Sequence, residues 1–468
     1  MNHDPLDMLE QPGRRKALGA LSALGASALG FSSLVPRLSM SSAVAANVGG
    51  EYRALVCVFL FGGNDSNNMI VPFTTNAYNN YATIRRPQNV GGLALTQASL
   101  LPITDLNGQA NYGLHPQMSG LQGLWAQGKM ATLFNVGSLL KPANKSNYQL
   151  NGAAPPNLFS HLDQQRQFQG VRLNSILAPS GWGGRMADLM GNAGGSTPVG
   201  LSIAGNNLFL TGDTSSLVAL PQTGSLAING MSSSAIDQAR LTALRQLLGS
   251  GSDAVMVSTL GGIETNTISL TQTLNPILSG SSSAIGAFGA QNTSIANQLK
   301  QVTKLIEHRG ALGSPTRQIF FVSQGGFDTH SNQIATQDGL LRDLSAAITS
   351  FYNATAALGV ANNVTTFTLS DFTRTFKPAN TGSDHAYGGH HLIVGGAVNG
   401  QASYGTFPTQ TLGGPDDVST EGRWLPTTSI DQYGATLAKW MGVSPAELGG
   451  VFPSLVNFTT KDLGFLKA

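Results

Sequence analysis

Apolar runs that end in glycines or polar residues recur along the chain and predict buried strands. The first run reads ALVCVFLF and is followed by Gly62-Gly63. Runs without hydrophobic–polar alternation are typical of strands that are covered on both faces, as in parallel sheets. The runs lie at residues 54–61, 130–136, 318–323, 364–369 and 391–394.

Helical patterns separate these predicted strands. Strands that alternate with helices are typical of α/β proteins. We therefore predict an α/β fold with a mostly parallel central sheet and helices on both of its faces. The helical patterns lie at residues 118–127, 334–358 and 429–441.

One long segment has a different composition. From about residue 193 to residue 292, Gly, Ser, Asn and Thr dominate, charged residues are sparse, and one helical pattern covers 235–248. We interpret this segment as an insertion or lid on a single domain that spans residues 46–468.

The first 45 residues have the pattern of an export signal. Residues 14–16 (RRK) precede a weakly apolar run over 17–34, and residues 43–45 (AVA) close the segment. A basic start, a short apolar centre and a small-residue exit are typical of a cleaved signal peptide. Arg14, Arg15 and Leu18 also resemble the R-R-x-x-L core of a twin-arginine signal.

This signal predicts a bacterial protein that is exported already folded by the twin-arginine translocase and is periplasmic or secreted. The alternative is an N-terminal anchor that is not cleaved. No other apolar run reaches the roughly 18 residues of a membrane span, so we expect no stable span in the mature chain.

Composition and charge exclude several classes of protein. The chain has 468 residues, with 26 Lys and Arg against 24 Asp and Glu, so it lacks the basic surface that nucleic-acid binding requires. Its single cysteine, Cys57, excludes a disulfide framework and cysteine-based zinc fingers. A hydrophobic fraction of 41% argues against disorder.

Carboxylates and histidines collect just after the predicted strands. In open α/β sheets, ligands bind outside the carboxyl ends of the strands. Carboxylates that meet there would repel one another, and a divalent ion explains their convergence. The candidate metal ligands are Asp65, Asp328, His330, Asp371, Asp384 and His385.

Oxygen and imidazole donors suit zinc, or calcium, magnesium or manganese, and we predict one or two ions per chain. Each candidate also has a structural explanation. Asp65 could cap a turn, Arg374 could pair with Asp371, and Asp384 with His385 could be a surface pair.

Several ordered motifs resemble one known family over nearly the whole mature chain. They are FLFGGNDSNNMIVP, LHPQMSGLQGLWAQGKMATLFNVG, NLFSHLDQQ, QGGFDTHSNQ, SDFTRTFKPANTGSDHAYGGHH and SIDQYGATLAKWMGV. The chain resembles the exported domain-of-unknown-function 1501 family, which is placed in the alkaline phosphatase and sulfatase superfamily. The resemblance implies a three-layer α/β/α sandwich and two-metal hydrolysis of phosphate or sulfate esters.

The resemblance also implies roles for the candidate ligands. Asp65 matches the first-strand aspartate of one metal position, and His385, with Asp384, would complete that position. Asp328 with His330 resembles the other metal position. Asp371 matches the aspartate after the following strand. Superfamily phosphatases usually have a histidine directly after it, where this chain has Phe372. This departure implies an incomplete metal site, a single ion or a different ion.

Two residues are candidates for catalysis. Ser160 stands ahead of a helical pattern, where the helix N-terminus would stabilise an oxyanion, although an ordinary helix cap explains it as well. Arg374 could bind the non-bridging oxygens of an ester. Ser66 and Thr329 are lesser candidates for the nucleophile.

We therefore expect an exported metal-dependent hydrolase of phosphate or sulfate esters, acting on small molecules or polysaccharide. An esterase that uses Asn64 in an oxyanion hole would need a Gly-Asp-Ser block on an earlier strand, and no strand is predicted before residue 54. The alternative is a catalytically degenerate, metal-containing protein that binds a cell-envelope partner or a glycan.

Overall fold

The structure is a computed structural model and describes residues 50–150, 152–172, 179–226, 234–248 and 255–467. The predicted signal of residues 1–45 lies outside these ranges. Among the described residues, no helix has both the length and the apolar character needed to cross a bilayer.

The elements follow in chain order. The strands are Arg53–Leu60 (β1), Ile70–Pro72 (β2), Leu101–Ile103 (β3), Tyr112–Leu114 (β4), Met130–Gly137 (β5), Gly200–Ser202 (β6), Val218–Ala219 (β7), Arg317–Gln324 (β8), Val364–Ser370 (β9), Gly389–Gly395 (β10), Ala402–Tyr404 (β11) and Thr428–Ser429 (β12). The α-helices are Ser66–Met69 (α1), Thr75–Arg85 (α2), Ser119–Ala126 (α3), His161–Gly170 (α4), Trp182–Met190 (α5), Ala235–Leu248 (α6), Val255–Ser279 (α7), Ser294–Glu307 (α8), Gln333–Ala357 (α9), Ile430–Trp440 (α10) and Leu448–Val451 (α11).

Most strands belong to one mixed sheet. Its order is β11-β5-β10-β9-β1-β8-β6-β7, and β12 pairs with β5. Strands β9, β1, β8, β6 and β7 pair in parallel, whereas β10 runs antiparallel to both β9 and β5. A second sheet has the order β2-β4-β3. The predicted α/β fold with a mostly parallel central sheet is confirmed, and the three-layer arrangement stays a prediction.

The pairing register aligns the carboxyl ends of three central strands. Leu60 of β1 lies opposite Gln324 of β8 on one side and Ser370 of β9 on the other. The loops that follow these strands therefore leave the sheet at the same edge. Gly62 makes their close approach possible, because it has a φ of +110° and a Cβ there would lie 2.4 Å from the Asp328 amide nitrogen.

Alternate residues of β1 pack into a large hydrophobic cluster. Leu55, Cys57 and Phe59 are fully buried and share this cluster with Trp182 of α5 and Tyr433 of α10. Trp182 Nε1 also donates a hydrogen bond to a backbone carbonyl 3.0 Å away. The central strand is thus anchored by aromatic packing, which keeps the loop after it in place.

The segment predicted as an insertion has two parts. Its first part supplies β6 and β7 to the main sheet. The described residues between Gly224 and Gly280, with α6 and α7, form a compact unit separate from the one that contains the sheets. The role of the segment as an insertion or lid stays a prediction.

An acidic side chain is buried at the start of α10. Ser429 and Gln432 form a capping box there, and the carboxylate of Asp431 accepts a hydrogen bond of 3.0 Å from the Ser454 amide. Burial raises the pKa of Asp431 to about 7, against the opposing effect of this hydrogen bond.

We expect this aspartate to make stability decrease as the pH rises. The folded chain keeps a proton that the unfolded chain, with an aspartate pKa of about 3.9, has already released. The resulting stabilisation is complete below about pH 4 and is lost as the pH rises through about 7, the folded pKa. At about 1.4 kcal/mol per pKa unit, it amounts to at most about 4 kcal/mol.

Urea denaturation between pH 4 and pH 8 checks this prediction, with Asp431→Asn as the comparison. The difference in unfolding free energy between the two proteins should change with pH in the stated direction. A constant difference across this range would contradict the buried titration.

Candidate metal centre

Three histidine rings surround one carboxylate at the carboxyl edge of the sheet. The Nε2 atoms of His330, His161 and His385 lie 3.0, 3.4 and 3.7 Å from Asp328 Oδ1. The Nε2 atoms of His330 and His385 are 3.0 Å apart. The four donor atoms, which come from the start of α4, from the loop after β8 and from the segment between β9 and β10, therefore lie close together.

These donors fit a metal ion by spacing and by chemistry. A tetrahedral zinc with Zn–N bonds of about 2.0–2.1 Å separates its ligand atoms by about 3.3 Å, close to the four distances given above. His161 Nε2 is buried and has no hydrogen-bond partner among the described residues. His161, Asp328 and His385 form one group with the proximity of metal ligands, and His330, Asp384 and His385 form another.

The far sides of two imidazoles are held by acceptors. His161 Nδ1 donates to Asp371 Oδ2 over 2.7 Å, and His385 Nδ1 donates to the Phe159 carbonyl over 2.7 Å. The bond to Asp371 raises the pKa of His161, whereas burial lowers the pKa of His385. Because Nδ1 carries the proton in each neutral ring, the Nε2 lone pairs face the centre, as in metal-ligating histidines.

Backbone strain accompanies one of these contacts. Phe159 has a φ of +68°, a left-handed conformation that bulky residues rarely adopt. The same residue supplies the carbonyl that orients His385, and its amide donates to Gln164 at the start of α4. Strained residues of this kind concentrate at functional sites.

Asp371 is the fully buried support of the centre. Besides His161, its Oδ2 accepts hydrogen bonds from Gln165 Nε2 at 2.9 Å and from the Gly62 amide at 3.2 Å. Its Oδ1 is buried and has no hydrogen-bond partner among the described residues. Asp371 therefore belongs to the site through His161 and lies outside the two groups of donor atoms.

Arg374 is buried and holds Asp328 in place. Its Nη1 donates to Asp328 Oδ1 at 3.1 Å and to the Gly62 carbonyl at 2.9 Å, and its Nε donates to the Ser383 carbonyl at 3.0 Å. Burial raises the pKa of Asp328, but the charges of Arg374 and nearby histidines outweigh burial and bring this pKa below its usual value. The contacts of Arg374 are those of a positioning residue.

Asp384 lies at the outer rim of the centre. Its Oδ1 is 4.0 Å from His330 Nδ1, and its Oδ2 accepts a hydrogen bond from Arg423 at 3.1 Å. Arg423 also donates to the His385 carbonyl over 2.8 Å. The structure thus brings Asp384, Asp328, His330 and His385 together, and their role as metal ligands stays a prediction.

Asp65 lies outside both groups of donor atoms. Its Oδ2 pairs with Arg85 and accepts from Gln333, and its Oδ1 accepts from the Asn67 amide at 3.1 Å. The side chains of Asp65 and Arg85 are completely buried. The guanidinium of Arg85 therefore supplies the positive charge that was expected from a metal.

Ser160 is the N-cap of α4. Its hydroxyl donates to Asp163 Oδ2 over 2.7 Å and accepts from the Asp163 amide over 3.4 Å. Ser160 directly precedes His161, so the cap also fixes the start of the helix that carries a donor of the centre. Another nucleophile candidate, Ser66, is buried and shares a 2.8 Å hydrogen bond with Thr373.

Sequence reasoning did not identify His161, Gln165 or Arg85 as functional. His161 begins a helix and does not follow a strand, so the strand-end rule does not select it. Its signals are its place in a polar segment and its position directly after a candidate N-cap. The adjacent His390 and His391 lie in β10, where burial lowers the pKa of each to about 3. They are neutral residues of the strand and are not among the donor groups.

Asp371→Asn should weaken metal binding by about 10- to 100-fold, because it removes the charge that orients His161 from behind. The matched control is Asp384→Asn, which alters a half-exposed carboxylate 4.0 Å from His330. We expect the control to change the affinity by less than about threefold. Competition with a chromogenic chelator measures the metal affinity of both variants. A larger loss in Asp384→Asn would instead place the ion at His330, Asp384 and His385.

Comparisons with known proteins place the chain in one family. Ps i-CgsB, solved in complex with k-i-k-neocarrahexaose, is similar with 8% identity and a TM-score of 0.36, covering 88% of this chain and 77% of that one. The C-terminal periplasmic domain of EcEptC from Escherichia coli, solved in complex with Zn, is similar with 11% identity and a TM-score of 0.33, covering 85% and 84%. No curated protein sequence matches. Residues 52–421 match the family described as "Protein of unknown function (DUF1501)", and the chain belongs to this family.

Proposed function

We propose that this protein is a metal-dependent hydrolase of phosphate or sulfate esters that binds a single divalent ion. The ligands would be His161, His330, His385 and Asp328. The observation that carries the proposal is the convergence of three imidazole Nε2 atoms on the Asp328 carboxylate, within 3.0–3.7 Å. Three histidines are a ligand set of catalytic zinc, and the fourth position, which Asp328 would hold, would have to exchange for water or an ester oxygen during hydrolysis.

The chain's own residues define what surrounds such an ion. When bound, zinc supplies Lewis-acid polarisation of an ester oxygen or of water. Asp371 and the Phe159 carbonyl orient two imidazoles, and Arg374 fixes Asp328. His330 and Asp328 are about half exposed, so this side of the centre is open to a ligand from solvent.

The nucleophile in this proposal is the hydroxyl of Ser160. As Ser160 Oγ bonds to phosphorus or sulfur, its proton passes to Asp163 Oδ2, which already accepts it in a 2.7 Å hydrogen bond. The ester oxygen leaves and takes a proton from solvent, and water then hydrolyses the seryl ester. The amides at the start of α4 favour the negative charge that develops there.

Ser160→Gly tests this role, because glycine is a fair helix cap and costs only a few tenths of a kcal/mol relative to serine. We expect the variant to keep its metal and its stability but to lose ester hydrolysis by about a thousandfold or more, the scale for loss of a nucleophile. Turnover of aryl phosphate and aryl sulfate esters by the purified chain is the measurement.

Two outcomes would contradict the proposal at different points. If Ser160→Gly hydrolyses esters within about tenfold of the wild-type rate, the nucleophile is water and not Ser160. If the wild-type protein binds metal but hydrolyses neither ester class, the proposal of an enzyme is overturned. That result would favour a degenerate, metal-containing binding protein. In either case, export through residues 1–45 by the twin-arginine translocase to the periplasm or medium stays part of the proposal.

A further inference from the structure

A groove with a volume of about 540 Å³ lies between the start of α2 and the loop at residues 407–411. Tyr112 and Phe407, whose ring centroids are 4.9 Å apart, are among its lining residues. Its other lining residues are amides, hydroxyls, prolines and an alanine, and none of the lining residues is charged. The volume falls within the range of about 300–1,000 Å³ that is usual for small-molecule sites.

Polar side chains of the groove have hydrogen-bonding capacity that the protein does not use. Gln410 is 2% exposed, and its buried Nε2 has no hydrogen-bond partner among the described residues. Within the same described ranges, the side-chain amides of Asn76 and Asn111 form no hydrogen bond to protein atoms, although both line the groove. Buried amides normally have partners, so an unpaired one beside a groove points to a ligand.

The backbone of the loop is strained at the same residue. Gln410 has a φ of +54°, which is uncommon for a residue other than glycine. Its carbonyl accepts a 3.0 Å hydrogen bond from Asn80 of α2, which ties the loop to the helix across the groove. The strain and the unpaired amide thus coincide at one position of the wall, as is common where a ligand is clamped.

We propose that this groove binds an uncharged stretch of a carbohydrate chain. Sugar rings present apolar faces, which pack on aromatic rings, and hydroxyl groups, which donate to and accept from amides. A phosphate, sulfate or nucleic-acid ligand would call for cationic side chains, which this groove lacks. Amides beside aromatic rings, without charge, match neutral sugars.

Binding of sugar at this groove does not depend on the metal centre. None of the groove residues is a donor of the centre or contacts its carboxylates through a hydrogen bond described above. The two proposals can therefore fail separately, and the experiment measures sugar binding with and without metal.

Isothermal titration calorimetry of the purified chain with maltohexaose, cellohexaose, xylohexaose and mannohexaose tests the inference. We expect at least one hexasaccharide to bind, and Asn76→Ala to weaken it by about fivefold, the value of one hydrogen bond. Phe407→Ala should abolish binding, and circular dichroism will show whether that variant is folded. Asn107→Ala, an exposed asparagine outside the groove, is the matched control and should bind normally.

Three results would overturn the inference. They are no binding of any of the four sugars, equal affinity in Asn76→Ala and wild type, and loss of binding on treatment with chelator. The last result would assign the sugar to the metal centre. Binding that survives metal removal and is weakened in Asn76→Ala supports the groove, whatever the fate of the hydrolase proposal.

Discussion

His385→Ala will weaken metal binding by a factor of about 100 or more, and the purified variant will contain little metal. Structural zinc in zinc-finger peptides binds with about 10–16 kcal/mol, and on that scale one of four ligands accounts for roughly 3 kcal/mol. His385 belongs to both groups of donor atoms, and its Nε2 lies 3.0 Å from that of His330. Elemental analysis of purified wild type should give one ion per chain, and the variant far less.

Two matched variants make the result specific. His308→Ala removes an exposed histidine that belongs to neither group of donor atoms, and it should keep the ion. Asp65→Asn should also keep it, because Asp65 pairs with Arg85. Two ions per wild-type chain, or loss of metal in an Asp65→Asn variant that circular dichroism shows to be folded, would return Asp65 to the ligand set that the sequence predicts.

Arg85→Met will lower the free energy of unfolding by about 3–5 kcal/mol. The side chains of Arg85 and Asp65 are completely buried, so the variant leaves an unpaired carboxylate inside the protein. Arg85 also donates to the Phe376 carbonyl over 3.2 Å, which would lose its partner as well. Urea denaturation of the metal-free proteins measures the effect without a contribution from the ion.

The control for this prediction is a pair at the surface. Arg172 and Asp213 are 2.8 Å apart and partly exposed, so Arg172→Met should cost less than about 1 kcal/mol. Adding Asp65→Asn to Arg85→Met should recover much of the lost stability, because it removes the unpaired charge. Equal losses in Arg85→Met and Arg172→Met would show that the buried pair has no special role.

The main elements of the fold could be predicted because their signals are local. The runs at 54–61, 130–136, 318–323 and 364–369 became β1, β5, β8 and β9, and the helical patterns at 334–358 and 429–441 became α9 and α10. Strands β6 and β7 could not be predicted. They have three and two residues and lie in a Gly- and Ser-rich segment, so they are too short to produce a periodic pattern.

The candidate site was only partly predictable. The strand-end rule brought Asp328, His330 and His385 together, because parallel register aligns the loops that follow β8 and β9. It could not show that Asp65, at the end of β1, turns toward Arg85 in the last turn of α2. That pairing depends on how α2 packs, and no spacing in the sequence encodes it. His161 was missed for the same reason, since α4 delivers it from outside the sheet.

The aligned strand ends also bear on how the protein folds. His161 and Asp371 are 210 residues apart in sequence, and Gly62 and Asp371 are 309 apart. Contacts across such separations form late, since long loops must close before they contribute. We therefore expect the centre to be incomplete in the folding transition state, in which case an ion bound there would slow unfolding and leave the folding rate almost unchanged. Bound metal would then make this chain kinetically persistent, because the rate of unfolding would set how long the folded protein lasts.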